Sequence, residues 1–252
     1  IRILDPCCGE GCALAEVKRH LTECGASVSA LGVEFDPERA WHAKTLLDSA
    51  LHADIHDVMI SQRSTGLLFL NPPYGDVVSD KAGTGSRKKA DRLEKVFFRR
   101  TLPLLQFGGV LVLIVPYYIM DAEFANMIAR NFERVAIYKA PEQKFKQCVI
   151  FGVKRRSDTP DGALVSRLEA AKDPDKLPEL PDVWIDEPYL VPGINGADSF
   201  SFCSVRIDAP QLGAEIKRLE RSTLWPRFGM QFERLTQAPR RPLRDLSRWH
   251  LA

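Results

Sequence analysis

Short apolar runs alternate with amphipathic segments over the first 154 residues, which is the pattern of β-strand and α-helix units that build a parallel sheet. The apolar runs predict strands at residues 1–4, 28–33, 67–70, 110–115, 134–139 and 147–154. Apolar positions at helical spacing predict helices at residues 14–24, 37–47, 93–105 and 121–130. We therefore expect an α/β fold with a mostly parallel sheet, in which the last two strands form an antiparallel hairpin.

The sequence changes character after Arg155. Residues 157–192 are rich in Asp and Pro and have weak periodicity, which predicts a linker with irregular elements. A strand at 200–207 and a helix at 212–224 are predicted beyond it. We expect a catalytic domain at 1–156, followed at 157–252 by this linker and a small irregular C-terminal extension. Because a strand is predicted from residue 1 and the chain does not start with Met, we expect the N-terminus of the domain to be incomplete.

Composition narrows the class of protein. With 45% hydrophobic and 27% charged residues, the chain resembles a soluble globular protein and not a disordered, collagen-like or coiled-coil one. No apolar run reaches the ~18–20 residues that a membrane-spanning helix needs. The six cysteines include the adjacent Cys7 and Cys8 and suit neither a disulfide framework nor a zinc site, and the five histidines are scattered. We expect a cytoplasmic protein with no signal peptide, no metal and no membrane contact.

The formal net charge of +2 hides a strong asymmetry. Between Lys81 and Arg100 there are eight basic and two acidic residues, a net of +6. Between Lys217 and Arg248 there are nine basic and three acidic residues, again +6, so the remainder carries −10. Such segments are either solvated faces or surfaces that follow the phosphates of a nucleic acid.

A glycine turn, Asp5–Gly11, lies between the first predicted strand and the first predicted helix. Its glycines allow a tight turn and close approach to a ligand, and the helix N-terminus offers free N–H groups. Glu34 closes the second strand 23 residues after Gly11, close to the spacing at which an acid meets a ribose in dinucleotide sites. The turn lacks the full GxGxxG of pyrophosphate binders, and Glu10 would repel a phosphate. The pair therefore predicts a nucleoside ligand without phosphates.

A second motif, Asn71-Pro72-Pro73-Tyr74, stands at the end of an apolar strand. The two prolines fix the backbone, so that the Asn71 side-chain oxygen and a proline carbonyl can converge on one point. An amino group held there donates both hydrogens, and its lone pair is left to attack an electrophile. Tyr74 supplies a flat face for a planar substrate.

These motifs resemble those of class I S-adenosylmethionine-dependent methyltransferases, specifically the amino-methylating branch with DPxxGxG and NPPY motifs. The resemblance covers residues 1–154 and implies a Rossmann-like seven-stranded sheet and S-adenosylmethionine as the cofactor. The cofactor loop precedes NPPY, which is the γ arrangement of N6-adenine DNA methyltransferases. NPPY also occurs in RNA guanine-N2 and protein glutamine-N5 methyltransferases.

The resemblance implies a role for individual residues. Glu34 would bind the ribose, and Asp54 would contact the adenine, with Ile55 flanking the ring. The implied cofactor-binding residues are Asp5, Pro6, Cys7, Gly9, Gly11, Glu34, Phe35, Asp54, Ile55 and Asn71. The implied catalytic residues are Asn71, Pro72, Pro73 and Tyr74, which orient the amine for direct transfer. Because no nucleophilic cysteine is required, we interpret Cys7 and Cys8 as packing residues.

A target base in a duplex would have to be flipped out and held between flat side chains. Tyr74 is one such face, and Phe145 is either the other or a buried residue of the hairpin. The basic loop Lys81–Arg92 follows NPPY directly, and we interpret Lys81, Arg87, Lys88 and Lys89 as substrate contacts.

The favoured function is thus a DNA adenine-N6 methyltransferase of the restriction-modification or mobile-element type, with DNA as its partner and a separate specificity or partner subunit left open. The first alternative is an RNA (guanine-N2 or adenine-N6) or protein glutamine-N5 methyltransferase. The second is an inactive fold that serves as a nucleic-acid-binding module.

Overall fold

The computed structural model describes residues 1–76, 92–184, 186–194, 199–205, 212–213 and 216–217. Lys81, Arg87, Lys88 and Lys89 lie outside the described residues, as do the basic tail and most of the helix predicted at 212–224. The chain divides into two compact units, Ile1–Arg206 and Ile207–Ala252.

The strands and helices of the first unit are numbered in chain order. The strands are β1 (Arg2–Asp5), β2 (Ser29–Glu34), β3 (Ser49–His52), β4 (Val58–Ile60), β5 (Thr65–Leu70), β6 (Leu105–Pro116), β7 (Phe132–Lys139), β8 (Gln147–Lys154) and β9 (Phe202–Ser204). The α-helices are α1 (Cys12–Glu23), α2 (Pro37–Leu46), α3 (Leu93–Thr101), α4 (Ala122–Asn131) and α5 (Gly162–Ala170).

Seven strands form one sheet in the order β3-β2-β1-β5-β6-β8-β7. β8 lies between β6 and β7 and runs antiparallel to both, while the other neighbours are parallel. This confirms the predicted Rossmann-like seven-stranded sheet, mostly parallel with an antiparallel C-terminal hairpin. Outside it, β4 and β9 form a two-stranded antiparallel sheet.

Apolar side chains cover both faces of the large sheet, because successive residues of a strand point to opposite sides. In β5, Leu68 and Leu70 join one buried cluster and Leu67 joins the other. The larger cluster includes Phe98 of α3 and Phe124 of α4, and the smaller one includes Leu14 of α1. Burial on both faces explains why the central strands have continuous apolar runs.

Helix starts follow local signals closely. Asp36 precedes α2, and its carboxylate accepts hydrogen bonds from the backbone N–H groups of Glu38 and Arg39, with Pro37 at the first helical position. Asp121 caps α4 in the same way, accepting from the Phe124 N–H at 3.0 Å.

The segment predicted as a helix at 93–105 ends earlier. α3 stops at Thr101, residues Leu102–Leu104 form a 3-10 turn around Pro103, and Leu105 already belongs to β6. β6 is accordingly longer than the predicted strand at 110–115. Two strands, β3 and β4, were not predicted, because they are only four and three residues long.

Residues 157–206 belong to the first compact unit, so its limit differs from the boundary expected after residue 156. α5 packs against α4, and its Leu168 is fully buried in the larger apolar cluster. The Gln106 side chain donates to the Gly193 carbonyl at 2.8 Å. β9, shorter than the strand predicted at 200–207, pairs with β4. Tertiary contacts, and not local periodicity, order this Asp- and Pro-rich stretch.

Candidate functional site

A cleft of about 840 Å³ opens at the carboxyl ends of the parallel strands, the usual position of ligands in such sheets. It brings together most of the residues that the two motifs and the resemblance single out. The predicted site residues that line it are Asp5, Pro6, Cys7, Gly9, Glu34, Phe35, Asp54, Ile55, Asn71, Pro72, Pro73, Tyr74 and Phe145. Gly11 is buried instead, and a Cβ there would lie 3.2 Å from the Ala43 Cα of α2.

Glu34 holds the glycine turn in place. The turn places Gly9 and Gly11 at positive φ, 56° and 86°, which favours glycine. The buried Glu34 carboxylate accepts from the Gly9 N–H at 2.9 Å and from the Asp36 N–H at 2.9 Å, and it pairs with Arg39 at 3.2 Å. The end of β2 and the turn after β1 are therefore joined through one side chain.

Asp5 places a second buried carboxylate in the cleft. It accepts from the Cys7 N–H at 2.9 Å, and burial, with a smaller contribution from Glu34, raises the pKa of Asp5 to about 7. Arg39 compensates Glu34, and a further cation beside Asp5 would favour the ionised form of that buried carboxyl. A cleft with this charge fits a positively charged nucleoside such as S-adenosylmethionine, whose sulfonium and ammonium groups are cationic.

Asp54 and Ile55 follow β3 at the same edge. The Asp54 carboxylate accepts from the His56 N–H at 2.8 Å and thereby caps the 3-10 turn Ile55–Asp57. One oxygen of the Asp54 carboxylate is thus committed to the turn. Asp54 also lines the cleft. Ile55 is buried, and Phe35 is largely exposed. Apolar and carboxylate side chains therefore lie next to each other at this edge of the cleft.

Asn71 is the first residue after β5 and is held at two points. The Cys7 thiol donates to its main-chain carbonyl, with 3.2 Å between Sγ and O. The Tyr74 hydroxyl donates to its side-chain oxygen at 2.8 Å. Burial raises the pKa of Tyr74 to about 12, so its hydroxyl stays protonated and can donate at neutral pH. The cofactor loop and the proline motif therefore contact each other at Asn71.

Phe145 lies in the 3-10 turn Gln143–Phe145, directly before β8. It lines the cleft and is 51% exposed, so it is not a buried residue of the hairpin.

Several residues that line the cleft were not predicted as site residues. They are Cys8, Ala13, Arg39, Ala53, Phe69, Leu93, Phe97, Glu142 and Gln147. Gln147 donates through Nε2 to the Tyr74 hydroxyl. The sequence offers no local signal for this contact, because it depends on the register of β8 in the sheet.

Residues 75–76 and 92–93 lie side by side at this edge of the sheet. Asp76 and Arg92 form an antiparallel bridge and an ion pair at 3.2 Å, and the Leu93 N–H donates to the Gly75 carbonyl at 2.9 Å. Arg92 also donates to the buried Glu94 and to the Tyr118 hydroxyl, at 2.9 and 2.8 Å.

The described part of the chain contains neither a candidate metal site nor a candidate membrane span. No group of three or more His, Cys, Asp or Glu residues there could hold a metal ion. None of the helices in those residues is long and apolar enough to cross a membrane.

Comparisons with known proteins bear on the fold and the class of enzyme. Residues 1–193 match the model of a family described as "Uncharacterised methyltransferase family (DUF6094)". A search of curated proteins gave no match.

Solved structures are similar to parts of this chain. One, from Listeria monocytogenes, is described as a class I S-adenosylmethionine-dependent methyltransferase and is 20% identical, with a TM-score of 0.53 over 69% of this chain and 65% of that one. This chain thus spans less than two thirds of its length. A predicted O-methyltransferase from Agrobacterium tumefaciens is 18% identical, with a TM-score of 0.43 over 72% and 92% of the two chains. A type I restriction-modification methyltransferase subunit from Streptococcus thermophilus is 14% identical, with a TM-score of 0.48 over 69% and 48%.

At 20% identity, the similarity to the Listeria monocytogenes structure supports the fold and leaves the substrate open. The family match covers all seven strands of the large sheet and every residue of the cleft. The chain therefore belongs to this methyltransferase family, and its methyl donor is S-adenosylmethionine.

Proposed function

We propose that the protein methylates an exocyclic amino group, and specifically N6 of adenine in DNA, with the base flipped into the cleft beside Asn71. The observation that carries this proposal is the placement of the Asn71 carboxamide. Its oxygen is fixed by Tyr74 at the end of β5, in the cleft that also contains Glu34. Together with the Pro72 carbonyl, this oxygen would offer two acceptors beside a nucleoside site, which suits an amine with two N–H donors better than a hydroxyl or a thiol with one.

The cofactor half of the cleft would be formed by the glycine turn, Glu34 and the residues after β3. Glu34 is oriented by two backbone N–H groups and would accept hydrogen bonds from the ribose hydroxyls. Asp54 and Ile55 would contact the adenine ring, and Asp5 would compensate the positive charge. When bound, S-adenosylmethionine supplies a methyl group that an amine lone pair takes from sulfur, leaving a neutral thioether while a proton passes from nitrogen to water.

The substrate half depends on acceptors and flat surfaces. A carboxamide oxygen has two lone pairs, and Tyr74 occupies one at Asn71, so the other remains for an N–H of the target. The Pro72 carbonyl would take the second N–H. With both hydrogens held, the nitrogen lone pair is directed at the methyl group, and rate is gained by positioning. Tyr74 and Phe145 would hold the ring of the base.

Charge supports a nucleic-acid substrate through one part of the basic segment only. Its four described cations all have partners: Arg92 pairs with Asp76 and Glu94, Lys95 with Asp121 and Glu123, and Arg99 with Glu123, while Arg100 donates to the Val58 carbonyl. These charges are committed to the fold. The proposed phosphate contacts are therefore the remaining residues of the segment, which are Lys81, Arg87, Lys88 and Lys89.

The test is methyl transfer from tritiated S-adenosylmethionine to duplex DNA, RNA or protein. We expect label in DNA as N6-methyladenine and a loss of transfer in Asn71→Ala. Asn126→Ala, a matched change on the surface of α4, should retain activity. Label confined to N4-methylcytosine would contradict the adenine assignment. Label only in RNA or in protein glutamine would support the first alternative, and cofactor binding without transfer to any substrate would support an inactive fold.

A further inference from the structure

A chain of hydrogen bonds crosses the substrate half of the cleft. It runs from the Gln147 side-chain amide to the Tyr74 hydroxyl, and from that hydroxyl to the Asn71 side-chain oxygen at 2.8 Å. Its two ends belong to different parts of the sheet, because Gln147 begins β8 and Asn71 follows β5. All three side chains line the cleft.

The chain of donors has one direction. The Gln147 amide nitrogen can only donate, so the Tyr74 oxygen accepts there and its single proton is free for Asn71. That proton is paired only when Asn71 turns its oxygen, and not its NH₂ group, toward Tyr74. If the Asn71 amide were reversed, the hydroxyl would face two donors and its own proton would have no partner. The direction set at Gln147 thus selects one orientation of the Asn71 amide.

Gln147 is itself firmly placed. It pairs with Pro116 of β6, and its carbonyl accepts from the Ala140 N–H at 3.0 Å. The next residue, Cys148, is fully buried. The backbone of Gln147 is therefore fixed in the sheet, and its side chain starts from a defined place beside Tyr74.

We propose that Gln147 is a positioning residue that acts through the Tyr74 hydroxyl to hold the Asn71 oxygen ready for the target amine. The link to catalysis rests on the proposed function. The effect of Gln147 on the orientation of the Asn71 amide does not depend on that function, and the third experiment measures it separately.

The first experiment replaces the hydrogen-bond donor of residue 147 with an acceptor. Gln147→Glu has nearly the same shape, but its carboxylate accepts the Tyr74 proton and withdraws it from Asn71. With adenine-unmethylated plasmid DNA at pH 8, we expect kcat to fall roughly tenfold, the worth of one hydrogen bond, while the KM for S-adenosylmethionine stays within about twofold. Activity relative to wild type should begin to recover as the pH falls toward the ordinary pKa of a Glu side chain, about 4.3, because a protonated carboxyl donates again. Gln62→Glu, an exposed residue before β5, is the matched control.

The second experiment tests whether Gln147 acts through Tyr74. In a Tyr74→Phe background, Gln147→Glu should have almost no further effect on kcat, since loss of the Tyr74 hydroxyl has already broken the chain of hydrogen bonds. Multiplicative effects of the two changes would overturn the proposal, as would a loss confined to KM or one that does not vary with pH.

The third experiment needs no activity. The side-chain amide ¹H–¹⁵N signal of Asn71 should shift in Gln147→Glu, and the same substitution should leave it unmoved in Tyr74→Phe. If Gln147→Glu does not shift the Asn71 signal when Tyr74 is present, the proposed chain of hydrogen bonds is refuted. If wild type labels no substrate while these shifts appear, the proposed function fails and the positioning of Asn71 by Gln147 stands.

Discussion

The Cys7 thiol donates a hydrogen bond to the main-chain carbonyl of Asn71, with 3.2 Å between Sγ and O. Burial, reinforced by the nearby Asp5, raises the pKa of the Cys7 thiol, so the group remains a neutral donor. The two residues are 64 positions apart and belong to the cofactor loop and the proline motif. A cysteine that looks like simple packing in the sequence therefore joins the two halves of the cleft.

Cys7→Ala removes this donor, and Cys7→Ser keeps one. We expect kcat to fall a few-fold in the alanine variant and to stay near wild type in the serine variant, measured as single-turnover methyl transfer. A thiol is a weak donor, so the loss should be small. Cys24→Ala, at an exposed cysteine after α1, is the control. Equal rates in the alanine and serine variants would show that the hydrogen bond has no role.

The buried carboxyl of Asp5 makes stability depend on pH. Its pKa is about 7 in the folded chain, against an ordinary value of 3.8. Between about pH 4 and pH 7 the unfolded chain has lost this proton while the folded chain keeps it. The contribution of Asp5 to the free energy of unfolding therefore falls as the pH rises through this window, and it is constant above pH 7.

Asp5→Asn keeps the acceptor for the Cys7 N–H and removes the charge. At pH 8 we expect the variant to be more stable than wild type by up to roughly 4 kcal/mol, and near pH 4 the two should be equally stable. Urea unfolding at several pH values measures the difference. Asp158→Asn, at an exposed acid, should show no such trend. An Asp5→Asn advantage that is the same at pH 4 and pH 8 would contradict the raised pKa.

Phe145 provides a test of the substrate half of the cleft. If it holds the target base, Phe145→Ala should raise the KM for DNA roughly tenfold or more, while the KM for S-adenosylmethionine changes little. Phe145→Trp should retain most of the affinity. The control is Phe107→Ala, at an exposed phenylalanine near the N-terminal end of β6. A rise in the KM for S-adenosylmethionine alone would assign Phe145 to the cofactor half of the cleft.

Leu168 tests whether α5 belongs to the core. Leu168→Ala in the full chain should lower the free energy of unfolding by about 2–5 kcal/mol, because the side chain is fully buried. Leu190→Ala, at a residue that is 75% exposed, should change it by less than about 0.5 kcal/mol. Similar stability of the two variants in chemical denaturation would mean that α5 is only loosely attached.

Local signals explain which parts of the fold were predictable. Pro37 and the preceding Asp36 mark the start of α2 to the residue, because capping is decided within one turn. The apolar run at 67–70 lies inside β5 for a similar reason, since burial on both faces leaves no polar position. The glycine turn, Glu34 and Asn71 could also be predicted as site residues from the sequence, because each stands directly at the end of an apolar strand.

Other parts depend on contacts between distant residues. α5 gains its order from α4, and its own Asp- and Pro-rich surroundings give no clear period. The place of Gln147 follows from the pairing of β8 with β6, which the sequence of β8 alone does not contain. The same holds for the Cys7 contact with Asn71.

The bridge between Asp76 and Arg92 has a consequence for how this enzyme can diversify. Since the two ends of segment 77–91 are fastened together beside the cleft, the sheet does not depend on how many residues lie between them, and extra length costs little. If this segment contacts the substrate, as the proposed function has it, insertions, deletions or exchange of the segment should alter which macromolecule is methylated while Glu34 and Asn71 keep their places. Swapping the segment between relatives would then change the target and leave the chemistry of the cleft in place.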